Sequence, residues 1–104
     1  MYRPLPNNVT IKSSEIDGLG LFATKDIKAE EVIGITHVLD SRWPDGYIRL
    51  PLGGFYNHSE KPNCYNFTQY HNVYQCKVVY IQALRDIKAG EEITCKYTAY
   101  DPTK

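Results

Sequence analysis

Short runs of β-branched and aromatic residues, interrupted by glycine and proline, form the dominant pattern along this 104-residue chain. Clusters of β-branched residues, or apolar residues alternating with polar ones, are typical of strands that bury one face. No long stretch repeats apolar residues every three to four positions, as an amphipathic helix would. The pattern therefore predicts a mainly β fold, with candidate strands at residues 9–12, 32–35, 74–81 and 93–97.

Residues 40–54 lack a strand-like pattern and are rich in turn-forming residues. Within this segment, residues 43–46 have the sequence Trp-Pro-Asp-Gly. Proline presets the backbone angle that a turn requires, and glycine accepts left-handed angles at no steric cost. We therefore predict a long loop over residues 40–54 with a tight turn at residues 43–46.

The chain contains an internal echo, because residues 23–33 (Ala-Thr-Lys-Asp-Ile-Lys-Ala-Glu-Glu-Val-Ile) recur as residues 83–93 (Ala-Leu-Arg-Asp-Ile-Lys-Ala-Gly-Glu-Glu-Ile). Each copy places Ile-Lys-Ala before an acidic turn and then begins a β-branched run. Two copies are too few for a solenoid, which needs at least three to bury a continuous core. The echo instead predicts pseudo-symmetry within one small domain.

Composition places the chain among ordinary globular proteins, with 42% hydrophobic and 23% charged residues. A chain of this length holds one small core, so we expect a single domain over residues 1–104. The 12 basic and 12 acidic residues balance. Because binding through phosphates requires an excess of basic residues, we expect no direct contact with nucleic acid.

Three cysteines, an odd number at irregular spacing, suit reduced thiols better than a disulfide framework. The first ten residues have no apolar run of signal-peptide length, and no segment has the roughly 20 apolar residues of a membrane span. We therefore expect an intracellular protein without a membrane anchor. Cys64, His71 and Cys76 fit no common zinc spacing, so no metal site is predicted.

Residues 18–23 (Gly-Leu-Gly-Leu-Phe-Ala) match the letters of the dinucleotide-binding pattern, and Asp40 follows at a suitable distance. That pattern requires a strand, a helix and a doubly wound parallel sheet, for which this chain is too short. A tight turn that uses two glycines remains as the alternative. Residues 57–63 (Asn-His-Ser-Glu-Lys-Pro-Asn) could either bind a polar ligand or stabilise their own turns.

The chain contains nine tyrosines and only three phenylalanines. Tyrosine is a normal choice for packing on a sheet, and it can also line an aromatic channel that accepts a lysine side chain. Composition leaves both possibilities open.

Three segments of the chain form a further pattern: residues 18–23, residues 55–59 (Phe-Tyr-Asn-His-Ser) with Pro62 and Asn63, and residues 90–97 (Gly-Glu-Glu-Ile-Thr-Cys-Lys-Tyr). In this order they resemble the signature motifs of SET-domain methyltransferases. The likeness runs from about residue 11 to residue 100. It implies a β-clip-like fold of small curved sheets in which the C-terminal segment passes under a neighbouring loop as a pseudoknot. We expect no zinc-binding tail of the kind that some members carry, and the compact chain resembles the stand-alone members of viruses and bacteria.

The resemblance implies that the chain binds S-adenosyl-L-methionine and transfers its methyl group to a lysine of a protein substrate. Gly18, Leu19 and Gly20 would lie along this cofactor through their backbone, and Asn57 and His58 would complete its pocket. A sulfonium methyl group is already activated, so no metal is needed. An alternative is a SET-fold pseudoenzyme that binds protein without turnover.

Tyr97 matches the family's catalytic tyrosine, and Tyr56, Cys95 and Tyr100 are the implied residues of the lysine channel. The family often has a tyrosine where this chain has Thr36, so one wall of that channel is changed. We expect the channel to be closed by the residues after Tyr97, by the substrate, or by a second subunit in a homodimer.

Overall fold

The computed structural model describes residues 5–96, in which eight strands and one short 3-10 turn form the fold. The prediction of a mainly β protein is confirmed, and no α-helix lies within the described part of the chain. No helix there is long and apolar enough to cross a membrane. The strands are β1 (Val9–Ser13), β2 (Leu19–Ala23), β3 (Val32–Leu39), β4 (Tyr47–Arg49), β5 (Asn57–His58), β6 (Cys64–His71), β7 (Cys76–Ala83) and β8 (Glu92–Cys95), with the 3-10 turn at Pro51–Gly53.

The strands form one curved sheet with the order β1-β2-β8-β6-β7-β3-β4. Neighbours pair antiparallel, except that β8 runs parallel to β6 and to the short strand β5. Strand β8 therefore lies between two segments that are far away in sequence, with Leu21 opposite Ile93 on one side and Cys64 opposite Cys95 on the other. This order brings together the three motifs that the sequence separates.

The core lies where these motifs meet, because apolar side chains from both halves of the chain are removed from water there. Leu21, Ile81 and Ile93 are each 0% exposed. The turns of the two echo copies contribute to the same cluster through Ile27 and Ile87. Removing these side chains from water supplies the main stabilisation that fixes the sheet order.

The two echo copies pair with each other through reciprocal contacts, which agrees with the predicted pseudo-symmetry. Ile27 N donates to Ile87 O at 2.8 Å, and Ile87 N donates to Ile27 O at 2.7 Å. The side chains repeat this exchange: Asp86 accepts from Ala29 N at 2.8 Å, and Asp26 accepts from Ala89 N at 3.0 Å. Each copy thus satisfies backbone donors that the other leaves unpaired.

The acidic turns of the two copies also match in their backbone angles. Glu30 has a φ of +70°, and Gly90 at the same place in the second copy has a φ of +93°. The following glutamates close both turns, since Glu31 accepts from Lys28 N at 3.2 Å and Glu91 accepts from Lys88 N at 2.9 Å. Only glycine adopts the left-handed region without a steric cost, so the first copy holds a strained residue where the second does not.

Some strand boundaries differ from those that the sequence predicts. The strand predicted at residues 32–35 continues to Leu39, and the one predicted from residue 74 begins at Cys76. Gln75 has a φ of +55° and donates its N–H to His71 O at 2.7 Å, so residues 72–75 form the turn before β7. The strand predicted to end at residue 97, and the threading of the C-terminal segment, extend beyond the described residues and stay predictions.

Four strands, β2, β4, β5 and β6, lie where the sequence analysis expected none. Strand β6 mixes polar and aromatic residues, and of its eight residues only Cys64 is buried. Strand β4 lies inside the predicted loop and pairs with β3. The turn predicted between them is confirmed: Gly46 has a φ of +80°, and its N–H donates to Trp43 O at 2.9 Å.

Candidate active site

The candidate site begins at the tight turn that joins β1 to β2. Gly18 has a φ of +44°, and its carbonyl accepts a hydrogen bond from Ser14 N at 2.8 Å. A Cβ at Gly18 would meet no atom within 4 Å, so this position needs glycine for its backbone angle and borders open space. Leu19, half exposed at 53%, and the buried Gly20 already belong to β2. The two-glycine segment is therefore a turn followed by a strand.

Gly20 needs the absence of a side chain for a different reason. A Cβ built there would collide with the Glu92 carboxylate and would lie 3.0 Å from Ser14 Cβ. Strand β8 places Glu92 next to β2, opposite Phe22. The space above Gly20 is therefore filled by a carboxylate of this chain.

Asn57 brings the second motif to the same place. Its Nδ2 donates to Glu92 Oε2 at 2.8 Å and lies 3.3 Å from the carbonyl oxygens of Asp17 and Leu19. The short strand β5 fixes this side chain, because Asn57 pairs with Thr94 of β8. The structure thus gathers Gly18, Leu19, Gly20 and Asn57, which the resemblance assigns to the cofactor.

His58 follows on β5, opposite Cys95 of β8. Its Nε2 lies 3.1 Å from Glu60 Oε1, and the other carboxylate oxygen of Glu60 lies 3.2 Å from Lys96 Nζ. The hydrogen bond from His58, followed by that from Lys96, lowers the pKa of Glu60. His58 is therefore positioned beside the site by the same strand as Asn57, within an exposed polar chain of three residues.

Ser14 and Glu92 are site residues that the sequence analysis missed. Ser14 Oγ lies 2.8 Å from both carboxylate oxygens of Glu92 and accepts from Ile16 N at 2.9 Å, which closes the turn. The echo contained one signal that Glu92 has a separate role, because the first copy has an apolar residue, Val32, at the equivalent position. A glutamate is therefore not required by the turn unit that the two copies share.

Asn63 has a structural role that its motif alone did not reveal. It is 3% exposed, its Oδ1 accepts from Thr94 N at 2.9 Å, and its Nδ2 donates to Glu92 O at 2.7 Å. These bonds pair with the backbone N–H of Thr94 and the backbone carbonyl of Glu92, on the side of β8 that faces β5 and β6. Asn63 thereby fixes the strand from which Glu92 projects.

The predicted channel residues are only partly within the described region. Tyr56 is 9% exposed and belongs to the core cluster, and Cys95 is fully buried opposite Cys64. Burial raises the pKa of the Cys95 thiol far above its ordinary value and that of Cys64 to about 12, so both thiols stay protonated. Tyr97 and Tyr100 lie outside the described residues.

Thr36, which stands where the family often has tyrosine, lies in the interior and is 0% exposed. Its hydroxyl donates to Val79 O at 3.2 Å and lies 2.8 Å from His37 Nδ1. His37 is 3% exposed, and its Nε2 has no hydrogen-bond partner within the described part of the chain. Burial, with a smaller effect of Arg49, lowers the pKa of His37 to about 4, so this imidazole is neutral near pH 7.

The cysteine and histidine side chains considered for a metal do not converge. His71 faces Cys76 across the β6–β7 turn, whereas Cys64 lies at the other end of β6. Among residues 5–96 no three metal-ligating side chains gather at one point. A surface pocket of about 620 Å³ lies between the β3–β4 turn and the β6–β7 turn, and no predicted site residue lines it.

Comparison with known proteins gives the same family as the motifs. A family profile described as "SET domain" matches residues 35–98. The chain is 40% identical over 72 residues to Histone-lysine N-methyltransferase ATXR7 of Arabidopsis thaliana, a match that spans 64% of this chain and 5% of that much longer protein.

Two solved structures share the fold. A Plasmodium falciparum protein assigned to the histone methyltransferases aligns with a TM-score of 0.74 and 25% identity over 91% of this chain and 96% of that one. An inhibitor-bound Polycomb Repressive Complex 2 from Chaetomium thermophilum aligns with a TM-score of 0.71 and 23% identity, over 88% of this chain and 15% of that one. Since the profile covers more than half of the sequence and the strand arrangement agrees, the chain belongs to the SET-domain family.

Proposed function

We propose that this chain is an S-adenosylmethionine-dependent methyltransferase that modifies a lysine side chain of a protein. The observation that carries the proposal is the convergence of the Gly18–Gly20 segment, Asn57 and β8, although they lie far apart in sequence. The plant relative is named as a histone-lysine methyltransferase, which makes histones the first substrates to test.

The chemistry of the gathered groups fits the cofactor. S-adenosylmethionine carries a sulfonium and an ammonium group, and cations of this kind are bound by carbonyl and carboxylate oxygens. The site offers the Glu92 carboxylate and the carbonyls of Asp17 and Leu19, with Asn57 held between them. Open space beside Gly18 leaves room for a ligand to lie along the turn.

The cofactor supplies a methyl group that is already activated for attack, so the protein has to orient a neutral amine toward it. By resemblance this task belongs to Tyr97, whose hydroxyl would orient the lone pair of the lysine nitrogen. Strand β8 ends two residues before Tyr97 and is fixed by Asn63 and by pairing with β2. Apolar surroundings would lower the pKa of the substrate lysine and favour its neutral form.

The test is to incubate the protein with methyl-labelled S-adenosylmethionine and histones, then identify methyl-lysine by mass spectrometry. Tyr97→Phe should keep cofactor affinity within a few-fold and lower single-turnover rates by roughly 10² to 10⁴, the range for a positioned catalytic group. Tyr70→Phe, at a tyrosine that is 55% exposed on β6, is the matched control and should turn over normally.

Two results would contradict this proposal in different ways. Cofactor binding without transfer to any protein would identify a SET-fold binding module. A folded Tyr97→Phe protein with normal turnover would show that Tyr97 is not the catalytic residue.

A further inference from the structure

The side chain of Glu92 occupies a defined place beside the proposed cofactor turn. Its carboxylate lies above Gly20 and is held from two sides, by Ser14 Oγ at 2.8 Å and by Asn57 Nδ2 at 2.8 Å. Both neighbours also contact the β1–β2 turn, because Ser14 accepts from Ile16 N and Asn57 Nδ2 lies 3.3 Å from the carbonyl oxygen of Asp17. The carboxylate is therefore fixed at the wall of the site.

In the part of the chain that the structure describes, the carboxylate of Glu92 is contacted by neutral groups and forms no ion pair. Glu91 pairs with Arg85 at 2.9 Å and Glu60 pairs with Lys96 at 3.2 Å. Within residues 5–96 no lysine, arginine or histidine lies within ion-pair distance of Glu92, although its side chain is partly buried. Its hydrogen bonds come from the neutral Ser14 and Asn57, so its negative charge remains available to attract a cationic ligand.

The shared turn geometry does not explain the acid at this position. The first echo copy has Val32 in its place, and both copies close their turns through the preceding glutamate, Glu31 or Glu91. Glu92 also requires glycine at position 20 to make room for it. Gly20 and Glu92 together thus place a negative charge, with no cationic partner among residues 5–96, beside the turn.

We infer that Glu92 determines the charge specificity of the cofactor site, favouring S-adenosylmethionine over S-adenosylhomocysteine. This inference rests on the proposed function. The two ligands share their adenosine and amino-acid groups and differ in charge only at sulfur, which is a cationic sulfonium before methyl transfer and a neutral thioether afterwards. A fixed carboxylate attracts the first and loses that attraction once the methyl group has left, which favours release of the product.

The size of the effect follows from Coulomb's law. Two unit charges about 8 Å apart, at an effective dielectric constant of about 40, change a binding ratio about fivefold. The shared groups cancel in the ratio of the two affinities. Glu92→Gln, which removes the charge but keeps the shape and one oxygen acceptor, should therefore lower the preference for S-adenosylmethionine about fivefold.

The experiment is isothermal titration calorimetry of both ligands with wild type, Glu92→Gln and the matched control Glu91→Gln, beside thermal melts of all three. The expected result is a fivefold fall in the affinity ratio for Glu92→Gln, mainly through weaker S-adenosylmethionine binding. The ratio in Glu91→Gln should stay within about twofold of wild type, because that charge pairs with Arg85.

Equal weakening of both ligands by Glu92→Gln, or no weakening, would overturn the inference and leave Glu92 as a structural residue. If the Glu92→Gln protein does not fold, Glu92→Ala decides in the same titrations: it should show the same fall in the affinity ratio, and an unchanged ratio would overturn the inference. Wild type that binds neither ligand would refute the proposed function itself, and the inference with it.

Discussion

Gly20→Ala adds one methyl group at the most crowded glycine of the candidate site. The new Cβ would collide with the Glu92 carboxylate and approach Ser14 Cβ to 3.0 Å. The carboxylate is the end of a flexible side chain and can swing away, whereas Ser14 can yield only by a small backbone shift. We therefore expect the protein to fold, with Glu92 displaced from its hydrogen bonds to Ser14 and Asn57.

The cost can be worked out from these bonds. Hydrogen bonds to a charged group each contribute about 1.5 to 3 kcal/mol, but a displaced carboxylate regains water and recovers part of this. Replacing glycine by alanine in a strand returns about 0.5 to 1 kcal/mol of chain entropy. Gly20→Ala should therefore lower the free energy of unfolding by about 1 to 2 kcal/mol. For a domain of this size each kcal/mol lowers Tm by about 4 to 8 °C.

A double-mutant cycle assigns this cost to Glu92. In the Glu92→Ala background the colliding carboxylate is absent, and the gain in chain entropy offsets the remaining contact with Ser14 Cβ. Adding Gly20→Ala should therefore change the free energy of unfolding there by no more than about 0.5 kcal/mol. The coupling energy should be about 1 to 2 kcal/mol, the range for residues in direct contact. Urea denaturation of the four proteins measures it. Equal costs of Gly20→Ala in both backgrounds would show that Glu92 does not occupy the space above Gly20.

Two further changes test the rest of the structure. Since burial lowers the pKa of His37 to about 4, the unfolded chain takes up the proton first, at about pH 6.5, and stability is lost as the pH falls from there toward 4. Between about pH 7.5 and about pH 5, the free energy of unfolding should fall by about 2 kcal/mol less in His37→Gln than in wild type, as measured by urea denaturation. Equal falls in the two proteins would contradict a neutral buried imidazole. Glu30→Gly relieves a φ of +70° and should raise the free energy of unfolding by about 0.5 to 1 kcal/mol. The control Glu31→Gly removes the carboxylate that closes the turn and should lower the free energy of unfolding. A destabilised Glu30→Gly protein would show that contacts of the Glu30 side chain stabilise the fold by more than its backbone strain costs.

The local features of this protein were determined by short stretches of sequence. Clustered β-branched residues predicted β1 and the start of β3, and Pro-Asp-Gly predicted the turn that ends at Gly46. Such features depend on backbone angles and side-chain alternation over a few neighbouring residues, which a linear pattern contains. The echo predicted two similar turns for the same reason, because similar short sequences favour similar local backbone conformations.

Tertiary structure determined that residues 64–71 form strand β6 and that Ser14 and Glu92 join the candidate site. Strand β6 has no clear alternation, since its form depends on β7 and β8 beside it rather than on its own side chains. Ser14 and Glu92 are 78 positions apart in sequence, and their contact exists only because β8 inserts next to β2. The sequence alone could name Gly20 and Asn57, but the carboxylate that joins them depends on sheet order, which burial of the shared core selects.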